Sequence, residues 1–78
     1  MMSVDESVKI FCKNIRDLRK RQNLSQKEMA NILGIGVKSL SMIENDVLPP
    51  YLNCEVLFRI RNYFGIKPPN MFKVLFDE

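Results

Sequence analysis

The chain contains no histidine. That absence removes the commonest general base and the commonest metal ligand together. Its two cysteines, Cys12 and Cys54, are too few and too far apart for a disulfide framework or a zinc cluster, and they read as reduced thiols in the core. With no glycine-rich phosphate loop and no paired carboxylates at an evident cleft, nothing supplies a base or a nucleophile. The expectation is a protein that is not an enzyme and holds no metal or cofactor. Long apolar runs are missing too. Near the middle, residues 32–37 are the longest stretch without a charged or polar side chain, far below the roughly 20 residues of a membrane span. Residues 1–10 include Asp5 and Glu6 and lack an apolar signal core, so a cytoplasmic protein without a membrane partner is expected. No segment alternates with period two for long enough to make a strand, which leaves an all-α chain.

What is present fits one small domain. The 78 residues suffice for a single core, and 46% hydrophobic with 27% charged residues is ordinary globular composition. We take residues 1–78 as one domain with its core over about 10–72. The net charge of +3 is unevenly placed. Between residues 9 and 38 eight Lys/Arg face two acids, whereas the rest of the chain holds four bases and seven acids. Such polarity suits a polyanionic partner met by the N-terminal half, and equally suits a solvated helix face.

The punctuation predicts five short helices. Over residues 8–22, Phe11, Ile15, Leu18 and Gln22 recur at helical spacing, and Asn23 ends the segment in a conformation Asn tolerates. Ser25-Gln26-Lys27-Glu28 is a capping box opening a helix that turns Met29, Ala30, Ile32 and Leu33 inward and stops at Gly34. After the tight turn 34–36, residues 37–45 place Leu40 and Ile43 inward, with Val37, Lys38, Ser41, Met42 and Asn45 on the opposite side. Residues 46–51 form a loop, because Pro49-Pro50 cannot continue a helix. A fourth helix covers about 53–64, with Val56, Leu57, Ile60, Tyr63 and Phe64 apolar, and stops at Gly65. Pro68-Pro69 suits the first turn of a fifth, running to about residue 75.

Residues 26–43 carry the function. Two short helices joined by a glycine turn make a helix-turn-helix. Ala30 is small where the second helix crosses the first, and Gly34 sits where φ must be positive. Because Leu40 and Ile43 anchor the second helix, its other face must point out. Here the sequence resembles the phage repressor and Cro-type helix-turn-helix family, also called the xenobiotic-response-element family. The matching residues are Ile15-Arg16-Asp17-Leu18-Arg19, Leu24-Ser25-Gln26-Lys27-Glu28-Met29-Ala30, Leu33-Gly34-Ile35 and Leu40-Ser41-Met42-Ile43-Glu44-Asn45. The resemblance spans about residues 10–72. It implies a compact five-helix, lambda-repressor-like DNA-binding domain whose helices 2 and 3 form the helix-turn-helix.

The resemblance also implies roles. Gln26 matches a glutamine that hydrogen-bonds a DNA phosphate at a helix N-terminus, though a plain first-turn polar residue reads the same way; Lys27 stands beside it. The helix from Val37 looks like the recognition helix, so Val37, Lys38, Ser39, Ser41 and Met42 face the major groove and Asn45 falls where relatives touch phosphate. Lys38 has the chemistry to donate to guanine O6/N7, and Val37 to rest on a thymine methyl. Arg19 and Glu44 match a structural ion pair joining helix 1 to the end of the recognition helix. Lys20 and Arg21 remain candidates for backbone phosphates or for a solvated face.

This chain departs from the family at Gly36, where a Ser or Thr cap is usual, and at Val37 and Met42, which supply no hydrogen bonds to bases. Its 46–51 loop has no base and is about two residues longer than usual, and Arg61 falls where a small buried residue is common. Among residues 71–76, Met71, Phe72, Val74, Leu75 and Phe76 are apolar. Met71 and Phe72 suit either the chain's own core or a surface; residues 73–78 suit a dimerisation tail. The reading that follows is a sequence-specific DNA-binding transcriptional regulator, a repressor occupying a palindromic operator as a homodimer on double-stranded DNA. The alternative is an antitoxin-like protein-interaction module with weak or no DNA binding and a protein partner such as a toxin.

Overall fold

The computed structural model describes residues 4–49, 52 and 54–74. Four α-helices and a terminal 3-10 helix follow one another: α1 (Val4–Arg21), α2 (Gln26–Leu33), α3 (Val37–Glu44), α4 (Glu55–Phe64) and the 3-10 helix Pro68–Phe72. No strand occurs among the described residues. The first helix begins four residues earlier than its apolar periodicity indicates. The last element corrects the expected fifth α-helix. Two consecutive prolines remove two N–H donors, and the bonds that remain, Asn70 N–H to Lys67 C=O and Lys73 N–H to Asn70 C=O, have 3-10 spacing. The expected end of that helix at Leu75, and Phe76 beyond it, lie outside the described residues, as do Pro50, Tyr51 and the fourth helix's expected start at Asn53.

Three helices in succession end in the same way. The N–H groups of Asn23 and Leu24 return to the carbonyls of Lys20 and Arg19. Those of Gly34 and Ile35 return to Asn31 and Ala30, and those of Asp46 and Val47 to Ile43 and Met42. Each is a Schellman cap, and each puts one residue in the left-handed region: Asn23 at φ 54°, Gly34 at 73° and Asp46 at 65°. Such tight stops let α1 turn into α2 across four residues and α2 into α3 across three.

The core is built from Phe11, Cys12, Ile15 and Leu18 of α1, Met29, Ala30 and Leu33 of α2, Leu40 and Ile43 of α3, Val56 and Ile60 of α4, and Met71. Against it, α1 packs on α3 and on the 3-10 helix, while α2 packs on α3 and α4. Two inward assignments, Ile32 and Cys54, need correcting, and two residues of the expected helical stripes, Gln22 and Tyr63, are exposed. Gln22 lies past the end of α1 and is exposed, and Ile32 is half-buried beside α4. Tyr63, at the edge of the α4 face, is 62% exposed and packs edge-on against Phe64, so its hydroxyl meets water. Cys54 is exposed because it caps the N-terminus of α4, outside the buried Val56–Ile60 stripe, whereas Cys12 is fully enclosed.

Asn14 is a buried polar residue that the apolar periodicity leaves out. Its side-chain nitrogen donates to the carbonyls of Met71 (2.8 Å) and Lys73 (2.7 Å), latching the 3-10 helix onto α1. A signal existed: Asn14 stands three residues from Phe11 and four from Leu18, on the apolar stripe itself. Phe72 stacks on Phe11 with ring centroids 5.2 Å apart yet stays 40% exposed, and Val74 is 62% exposed. No described helix is long and apolar enough to cross a membrane.

Candidate nucleic-acid interface

The N-terminus of α2 is fixed by its capping box. Glu28 N–H donates to the Ser25 hydroxyl at 3.1 Å, and Ser25 N–H donates to the Glu28 carboxylate at 3.0 Å. The Ser25 backbone bond, with the hydroxyl's next in size, holds the Glu28 carboxyl below the usual carboxylate range. The backbone N–H groups of Gln26 and Lys27 point out of this end, as the first N–H groups of any helix do. Lys27 is exposed and Gln26 half-buried.

The turn 34–36 delivers the chain into α3. Gly36 caps α3 with extended backbone and no side chain, so nothing covers the first-turn N–H groups from that position. Leu40 and Ile43 are both 0% exposed, which fixes the rotation of α3 about its axis. Val37, 43% exposed, and Lys38 therefore stand outermost at the N-terminal end. Ser39, Ser41 and Met42 are half-buried along its flank, and Asn45 is exposed just past its end. Asn45 is folded back, its side-chain nitrogen donating to the Ser41 carbonyl at 2.7 Å. Lys20 and Arg21 are exposed in the last turn of α1.

Beneath this surface lies a polar knot centred on Glu44. Arg19 grips its carboxylate through Nε to Oε2 (2.6 Å) and Nη2 to Oε1 (3.0 Å), with the two side chains 17% and 8% exposed. The third Arg19 nitrogen, Nη1, donates to the Leu24 carbonyl at 3.0 Å, just before α2. Gln26 Nε2 also donates to Glu44 Oε1, at 3.2 Å. Arg16 Nη1 donates to the Glu44 backbone carbonyl at 3.2 Å, placing a cation where the α3 dipole is negative. The structure thus brings Arg19, Gln26 and Glu44 into one network, while Lys20, Arg21, Lys27 and Lys38 stay at the surface. The sequence reading placed Arg16 in the basic window and in the family match but gave it no contact, and it did not connect Gln26 to Glu44. No local spacing marks either contact, since both partners meet only after α1, α2 and α3 have packed.

No group of three or more His, Cys, Asp or Glu able to hold a metal occurs among the described residues. The arrangement presents hydrogen-bond donors, cations and one apolar side chain on two adjoining helices braced from behind.

Two comparisons with known proteins bear on the family of the chain. The helix-turn-helix domain family matches residues 12–76. A provisionally named HTH-type transcriptional regulatory protein of Pyrococcus abyssi is 38% identical over 74 residues, covering 91% of this chain and 23% of the relative. The chain thus spans about a quarter of that relative's length. No solved structure matches. The matched residues take in both helices of the motif, the turn between them and the core that orients them, and the chain belongs to the helix-turn-helix family of the xenobiotic-response-element type.

Proposed function

We infer that the chain is a sequence-specific DNA-binding domain of a transcriptional regulator, acting by binding and not by catalysis, and working in the cytoplasm where its DNA lies. One observation carries the reading: the complete burial of Leu40 and Ile43 turns Val37 and Lys38 outward on a helix clamped at its far end by Arg16 and Arg19. A recognition helix needs both a free N-terminal face and a rigid mount. In this reading α3 enters the major groove. Lys38 donates to guanine O6/N7, Val37 packs on a thymine methyl, and Ser39, Ser41 and Met42 line the groove wall. Gln26 and Lys27, with the α2 N-terminus, hold one phosphate, and Asn45 swings from Ser41 to another. Lys20 and Arg21 approach the backbone from α1. Belonging to the helix-turn-helix family and a relative named as a transcriptional regulator support the reading.

The finer reading is a repressor that occupies a palindromic operator as a homodimer. One domain reaches one half-site, and the half-exposed Phe72, in a groove with Val8, Leu48 and Leu57, together with the exposed Val74, supplies apolar surface for a second copy.

Two substitutions test the docking. Lys38→Ala should relax base preference at one position of the site. Lys20→Ala should weaken binding evenly across sequences and lower the salt slope by about 1. Titrations of labelled duplexes at several salt concentrations read both. Unchanged binding by both variants would contradict the docking, and no retention of random genomic fragments at low salt would favour the protein-interaction alternative.

A further inference from the structure

We propose that Glu44 is a positioning residue for DNA backbone binding: it orients the Gln26 side-chain amide so that a phosphate meets an N–H and not the carbonyl oxygen. The inference rests on the DNA-binding reading above and adds to it a residue that touches no DNA. A primary amide carries a donor end and an acceptor end of nearly the same shape, so a glutamine at a phosphate site is as ready to repel the anion as to bind it. Here the choice is made in advance. Glu44 Oε1 accepts from Gln26 Nε2 at 3.2 Å, and a carboxylate gripped by Arg19 through two nitrogens offers that amide only acceptors. The amide nitrogen is thereby held, and its second hydrogen is left for an anion at the α2 N-terminus, beside the outward N–H groups of Gln26 and Lys27.

The first residue of α3 cannot do this job, because Val37 has no hydrogen-bonding side chain. The ordering instead comes from the last residue of α3, and the same carboxylate ties α1, α2 and α3 together. A phosphate contact made by α2 is therefore registered to the helix proposed to read the bases.

Electrostatics and positioning predict opposite signs. Glu44→Gln removes a negative charge near a polyanion, which by charge alone tightens binding. Loss of the oriented Gln26 donor weakens it, by about three- to tenfold for one hydrogen bond. The test is a double-mutant cycle of Gln26→Ala and Glu44→Gln, read as affinity for a labelled random-sequence duplex, since phosphate contacts are independent of sequence. Side-chain amide NMR of Gln26 in the DNA-free protein accompanies it. The expected result is weaker binding for Glu44→Gln alone, no further loss once Gln26 is Ala, an unchanged salt slope, and collapse of the shifted Gln26 amide signals on substituting Glu44. Equal weakening in both backgrounds, or tighter binding by Glu44→Gln alone, would overturn the proposal while leaving DNA binding intact. Absence of DNA binding by the unsubstituted protein overturns the DNA-binding reading and this proposal together. Should Glu44→Gln fail to fold, Glu44→Asp keeps the charge for Arg19 but withdraws the carboxylate by one methylene. The same cycle and the same amide signals then decide.

Discussion

Gly34 holds φ at 73° with the Arg59 guanidinium lying over it, so that a Cβ added there would come within 2.7 Å of Nε and 2.8 Å of Cζ. Two costs are superimposed, and their sizes differ. The guanidinium is the end of a flexible, exposed side chain and can retreat, whereas the left-handed backbone cannot be changed without undoing the cap that turns α2 into α3. Gly34→Ala should therefore lower stability by about 1–2 kcal/mol, nearly all from φ. Adding Arg59→Ala should recover little of it in a denaturant titration. The two cysteines separate by the same attention to place. Enclosure of Cys12 pushes its thiol up from 9.0 to about 11, desolvation being the main cause, with Asp46 raising it further and Arg16 opposing. The sign follows from linkage: a raised folded value favours the protonated thiol, so the contribution is intact below about pH 9 and is lost as pH rises through about 11. Stability should fall over that window and fall less in Cys12→Ala. At neutral pH a thiol reagent should label Cys54 in the folded protein and reach Cys12 only after unfolding.

At the scale of elements, α2 is the piece most completely written in local chemistry. Its start is the Ser25–Glu28 box and its stop is Gly34. An eight-residue helix has little stability of its own, so both ends matter. Ser25→Ala should cost about 1 kcal/mol by thermal or chemical unfolding. The Glu28 side of the box is pH-dependent: its folded carboxyl titrates below the unfolded one, so its contribution is present above the unfolded value and fades as pH falls through the folded one. Glu28→Gln should narrow the stability difference from wild type as the solution is acidified. This is also where the sequence was most legible, because caps and glycine stops are rules between neighbours. Asn23, Ser25, Gly34 and Gly65 all act at helix ends as their residue types imply. Legibility declined wherever a distant partner decided the outcome. Asp46 reads as the first residue of a loop, yet it completes the α3 cap in the conformation usually given to glycine. The bonds of Asn14 go to carbonyls 57 and 59 residues away, which its place on the α1 stripe does not reveal. The Pro68-Pro69 pair marks a helix start correctly and then denies it the donors an α-helix needs. In the candidate interface, the outward residues of α3 follow from the spacing of Leu40 and Ile43, but the Gln26–Glu44 contact required three helices to be packed first.

Across the whole molecule, α1 acts as the strut. One stretch of it fills the core, Arg16 and Arg19 hold the far end of α3, and Asn14 holds the 3-10 helix. The proposed recognition helix is therefore mounted on the longest described element of the fold. Charge and specificity are divided between the two surfaces so arranged. In the proposed docking Lys20 and Arg21, in the basic last turn of α1, face the DNA backbone, while α3 offers Lys38 as its one cation and Val37 as its apolar contact. With extents of 34 × 25 × 22 Å, the domain in the proposed docking covers one half-site with α3, so discrimination among sites is expected to come from two copies on symmetric half-sites about 34–36 Å apart. Selection of bound duplexes from a random-sequence pool tests this most directly, since one experiment reports binding, base preference, symmetry and spacing. The expected result is recovery of an inverted repeat with half-sites one helical turn apart, and loss of preference at one position of each half-site with Lys38→Ala. Recovery of a pool as random as the input, at low salt, would contradict it.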